Sequence, residues 1–73
     1  MRLISYNGKY DMPYDLTCLT VEGTLINARN SITDSVYTMG RYKTNSEAKD
    51  ALFDVIDAYC EGKKMYIFKG ISE

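Results

Sequence analysis

The sequence predicts an α+β fold, an antiparallel sheet of about five or six strands with one amphipathic helix packed on one face. Three observations predict it. Only residues 44–62 carry a helical period, with Ala48, Ala51, Leu52, Val55, Ile56, Tyr59 and Cys60 at the spacing that lines one side of a 3.6-residue helix. Short β-favouring runs precede that stretch, and two of them flank Asn7-Gly8 while two flank Glu22-Gly23. One more apolar run, KKMYIFK, follows the helix, so the predicted order is β-β-β-β-β-α-β.

Taken in order, MRLISYNGKYDMPY reads as a hairpin closed by Asn7-Gly8 in a type I′ turn, with Leu3 facing Met12, Ile4 facing Asp11 and Ser5 facing Tyr10. Pro13 ends the second strand or confines it to an edge. LTCLTVEGTLINARN reads as a second hairpin, turning at Glu22-Gly23. Leu19, Val21, Ile26 and Ala28 form its helix-facing side, and Leu16, Cys18, Leu25, Asn27 and Arg29 the other. NSITDS is a polar turn. In SVYTMGRYK, Val36 and Tyr42 share one face, and Tyr37, Met39, Arg41 and Lys43 the other. Gly40 marks either a bulge or a place where a ligand approaches the backbone. Thr44 and Glu47 form a capping box, and Gly62 supplies the left-handed residue that ends the helix. The last strand has Met65 and Ile67 opposed to Tyr66 and Phe68, which places it inside the sheet or under a second subunit.

With 73 residues the chain has room for one small domain spanning residues 1–73, with little stability in reserve. Nine basic and ten acidic side chains nearly cancel, which argues against the uniformly basic surface that duplex nucleic acid requires. No apolar run approaches a bilayer span, so a membrane partner is not expected and the expected location is the cytoplasm. Cys18 and Cys60 lack metal-ligand spacing and read as reduced thiols in the core.

The absence of histidine removes the usual general base and the commonest metal ligand, so neither catalysis, a cofactor nor a metal is expected. Glu47, Asp50, Asp54, Asp57 and Glu61 project from the helix side opposite the apolar stripe. Such an array is a solvated face, a cation site or a mimic of nucleic-acid phosphates. Phe53 borders the stripe and, with Tyr66 and Phe68, is a candidate subunit interface. Seven tyrosines are many for so short a chain. Tyr37, Arg41 and Lys43, on one strand face near Asn27 and Arg29, combine a stacking ring, cationic groups and an amide. Those residue types hold a nucleotide or another phosphorylated ligand, and they also dominate protein interfaces.

The opening MRLISYNGKYDMPYD, the central VEGTLINARN and the later YTMGRYKTNSEAKDALFDVIDAYCEG together resemble a group of short proteins encoded by phages and prophages of Gram-positive bacteria. The shared pattern is an initial M-[RK]-L-I-S, an N-G or D-G turn with P-Y, then G-x-Y ahead of a T-x-x-E-A-K helix and a closing strand. The resemblance implies a stoichiometric accessory protein acting in the host-cell cytoplasm, counter-defence among its uses, and brings no catalytic residues with it. The leading expectation is therefore a homo-oligomer, a dimer in the simplest case, that sequesters a nucleotide-like immune signal through Asn27, Arg29, Tyr37, Arg41 and Lys43. The alternative is a protein–protein inhibitor of a host nuclease or defence effector. A nuclease or hydrolase built on the carboxylates ranks last.

Overall fold

The computed structural model describes residues 1–71. Its elements are β1 (Arg2–Ile4), β2 (Asp11–Pro13), a 3-10 turn (Tyr14–Leu16), β3 (Thr17–Glu22), β4 (Leu25–Asn30), β5 (Val36–Arg41), α1 (Asn45–Cys60) and β6 (Met65–Ile67). The predicted order of elements is present, but the strands form two three-stranded sheets, β2-β1-β6 and β3-β4-β5, in place of one continuous sheet. The first is also mixed, because β6 runs parallel to β1. Both sheets and α1 share one core, centred on Leu3, Ile26, Met39 and Val55, each with no exposed surface.

The first hairpin has the predicted register, Leu3 opposite Met12 and Ile4 opposite Asp11, on a different turn. Gly8 N–H donates to Ser5 C=O at 3.0 Å, so Tyr6 and Asn7 are the central residues, and Gly8 follows them at φ +73°. Asn7 keeps a negative φ, and its side chain ties the turn together. Its Oδ1 accepts from Ser5 Oγ at 2.7 Å and from Lys9 N–H at 3.1 Å, while Ser5 Oγ accepts from Tyr10 N–H at 3.0 Å. Ser5 is fully buried, and this network satisfies its hydroxyl.

The second hairpin turns one residue later than predicted, at Gly23-Thr24, with Glu22 opposite Leu25. Only Gly23 takes positive φ, as a type II′ turn requires at its first central position. The faces are unchanged: Ile26 and Ala28 are buried in the core with Leu19 and Val21 packed against them, and Cys18 and Arg29 are exposed on the other side. A bulge in β5 then alters the expected alternation. Ile26 pairs with Gly40 and Asn27 with Thr38, leaving Met39 as the extra residue. Gly40 thus marks a bulge, and a Cβ there would lie 2.8 Å from the Tyr42 ring.

Helix α1 is capped as its sequence requires. Thr44 accepts from Glu47 N–H, and the Glu47 carboxylate reaches back to Lys43 N–H at 3.1 Å. At the other end Lys63 N–H bonds Ala58 C=O, Gly62 N–H bonds Tyr59 C=O, and Gly62 sits at φ +76°, a Schellman closure. The buried face is rotated from the predicted stripe. Ala48, Val55 and Ala58 are buried and Ala51 and Leu52 half-buried, whereas Ile56 (39% exposed), Tyr59 and Cys60 face outward. Ala48, Ala51, Val55 and Ala58 form the arc that meets the sheet, and Ile56, the next residue round the helix from Val55, lies on the flank of that arc. Both cysteines are therefore exposed free thiols, not core thiols.

The last strand departs most from expectation. β6 is an edge strand, with Met65 and Ile67 exposed, Tyr66 half-buried and Phe68 only 3% exposed. Phe68, read as an interface residue, is inside the chain's own core.

Val55→Ala is expected to destabilise the fold by about 2 kcal/mol and lower Tm by roughly 10 °C, and Ile56→Ala by less than about 1 kcal/mol. Thermal melts of the two variants at a concentration where the chain is monomeric check this: an Ile56→Ala loss equal to that of Val55→Ala would place Ile56 on the buried face of α1.

Candidate functional site

The bulge in β5 separates the five residues expected to form one ligand site. Asn27, Arg29 and Arg41 lie on the sheet face away from α1, Arg41 being opposite Leu25 and Arg29 opposite Val36. Tyr37 is opposite the buried Ala28, on the core side, where its ring packs on Tyr10 at 4.4 Å between centroids. It is not available to stack on a ligand held by the two arginines. The polar groups of the outer face are engaged locally. Asn27 Nδ2 donates to Glu22 Oε2 at 2.6 Å, and Thr38 Oγ1 donates to Asn27 Oδ1 at 3.0 Å. Arg29 is 3.7 Å from Asp34, and the Arg41 guanidinium lies 6.0 Å from the Tyr6 ring centroid.

Lys43 stands apart from that face, on the rim of an open groove of about 810 Å³ between α1 and the β6 segment. Glu47, Asp50, Ala51 and Asp54 line the helix side, Tyr66, Ile67, Lys69, Gly70 and Ile71 line the other, and Tyr42 is in its floor. A smaller hollow of about 190 Å³ continues it past Asp54 and Tyr66 toward Asp57, Glu61 and Lys63. The spacing of Glu47, Asp50, Asp54, Asp57 and Glu61, alternately three and four residues apart, puts all five on the side of α1 that meets β6. They are strung along the groove, and among the described residues no three acids or thiols converge closely enough to hold a metal ion. Two lysines at the rim of the larger groove face three carboxylates, so its charge favours a cation.

Two tyrosines give the groove its shape. Tyr66 Oη donates to Asp54 Oδ2 at 2.9 Å, joining β6 to the helix, and its ring meets Phe68 edge-on at 5.1 Å. Burial, with this hydrogen bond and the Asp54 charge added, raises the Tyr66 pKa far above the ordinary tyrosine value. Tyr42 is 6% exposed, and its hydroxyl is buried with no hydrogen-bond partner among the described residues. Burial is again the main cause that raises its pKa; the neighbouring Lys69 backbone opposes the shift without completing a bond.

No family model, curated protein or solved structure matches the chain.

Sequence spacing put the five acids on one side of α1 but placed Lys43 with the sheet-face residues, and it missed Tyr42, Tyr66 and Lys69 as parts of one groove. The available signal was Gly40 two positions before Tyr42, room left for a ring. Of the residues read as interface, Phe53 is 65% exposed and Tyr66 forms part of the groove wall.

A tyrosine whose folded pKa exceeds its unfolded value of about 10 contributes stability that is complete below that pH and is lost as pH rises through the folded value. Tyr42, Tyr59 and Tyr66 are all shifted this way. Urea midpoints measured between about pH 9 and pH 12 should fall, and Tyr66→Phe should make the fall shallower. An equal slope in that variant would mean that the Tyr66 hydroxyl is not held buried against Asp54 in solution.

Proposed function

We propose that the chain is a stoichiometric binding protein whose acidic groove takes a cationic segment of a protein partner. The observation that carries this reading is the placement of four α1 carboxylates and Glu61, which caps the helix, along the larger groove and the hollow that continues it. Arginine suits such a groove, because its fork bonds carboxylates in bidentate fashion and its planar face lies against aromatic rings such as Tyr66. The resemblance to short phage and prophage proteins supplies a context in which the partner is a basic host nuclease or defence effector. A nucleotide-like signal is the weaker occupant, since Tyr37 is turned from Arg29 and Arg41, and phosphates entering the groove would meet Glu47, Asp50 and Asp54.

Titration of isotope-labelled protein with an arginine-rich peptide, and separately with nucleoside mono- and diphosphates, tests the choice by NMR. The peptide is expected to saturate at a defined stoichiometry, shift amides at Asp50, Asp54 and Tyr66, and weaken with salt; Asp50→Asn/Asp54→Asn should reduce affinity by about tenfold or more. Saturable nucleotide binding at Arg29 and Arg41, with no localised response to the peptide, would reverse the assignment.

A further inference from the structure

The flank of α1 opposite the groove lies above β3, whose outer edge is unpaired among the described residues. Tyr59 marks this flank, because its hydroxyl bonds Asp15 at 3.1 Å and its ring stacks on Tyr14, in the turn that leads into β3. Ser31 N–H donates to Leu16 C=O, and the β3–β4 register continues that pattern through residues 18, 20 and 22. In an antiparallel ladder the intervening residues direct their backbone groups the other way, so the N–H and C=O of Leu19 and Val21 point to the free edge. That edge has few of the usual obstacles to pairing: residues 17–22 include no proline, lysine or bulge, and the one charge, Glu22, is at the end of the strand.

We infer that two copies of this chain pair through β3, antiparallel, about a two-fold axis at Thr20. In that register Leu19 of each copy bonds Val21 of the other in both directions, giving four backbone hydrogen bonds, and two three-stranded sheets become one of six. Glu22 falls opposite Cys18, so like charges do not meet across the axis. The helices fit the same arrangement. Each α1 packs over β3 and β4, strands are about 4.8 Å apart, and the two helix axes therefore lie about 10 Å apart, the ordinary packing distance of two helices. Exposed Ile56 and Phe53 are then covered by the partner's helix. The acidic grooves, on the far flanks, remain open, so this pairing stands independently of what the grooves bind.

Thr20 would oppose its own copy as a non-hydrogen-bonded pair, with Cα atoms about 4.5 Å apart, within the range a disulfide spans. With Cys18→Ser and Cys60→Ser in place, Thr20→Cys is expected to form a covalent dimer under mild oxidation, while Phe53→Lys/Ile56→Lys without it sediments as a folded monomer at micromolar concentration. The parent protein is expected to sediment as a dimer there, and the surface lysines to weaken it on the order of a hundredfold. A monomeric parent overturns the inference. So does a dimer that survives both lysines, or one in which the thiol introduced at position 20 fails to cross-link.

Discussion

Met39 is the extra residue of the bulge in β5, and its position between Thr38 and Gly40 decides which parts of the chain meet. Its side chain is fully buried, and its C=O accepts the Tyr6 N–H at 2.8 Å, which fastens the first hairpin to the second sheet. Two residues on, Arg41 N–H bonds Lys69 C=O and brings the segment after β6 alongside. Without the extra residue, Gly40 would change faces and the Tyr42 ring would lose the space kept for it. The join between the sheets, the groove floor and the outward turn of Arg41 thus share one local irregularity.

The parts of the fold legible in the sequence are those set by neighbours along the chain. Thr44, Glu47 and Gly62 specify the helix ends by local hydrogen bonds, and alternating apolar residues specify the register of the first hairpin and the faces of the second, whose turn and register lie elsewhere than predicted. Two sheets in place of one could not be read, because that division rests on bonds between residues 6 and 39 and residues 41 and 69. The helix face was misjudged for a related reason. Periodicity identifies a stripe, but which part of it is buried depends on how the helix is rotated over the sheet, and here Ala48, Val55 and Ala58 take the centre. The candidate site followed the same rule. A single shifted residue turns every later side chain, so Tyr37 and Arg41, four positions apart and expected together, occupy opposite faces.

Helix α1 has different chemistry on its two exposed flanks. One carries carboxylates toward β6, and Asp54 there both accepts from Tyr66 and contributes to the groove's negative field. The other presents Ile56 and Tyr59 above β3, beside a strand edge that is unpaired among the described residues. The chain is small enough that one helix serves as core element, groove wall and apolar ridge, with each role confined to a separate arc. Tyrosines mark the boundaries: Tyr59 ties the helix to the turn before β3, and Tyr66 ties it to β6.

The parallel ladder between β1 and β6 has a consequence for how the molecule comes together in time. Arg2 pairs with Met65 and Ile4 with Ile67, so the ladder closes a loop of roughly 60 residues, whereas the β3-β4-β5 meander closes only short ones. The meander can assemble early from contacts near in sequence. β1, buried through Leu3 but flanked by β6, waits for nearly the whole chain to emerge before its second neighbour exists. Until then the β2–β1 hairpin has an open side, and the speed with which β6 arrives sets how long that side is available to other molecules.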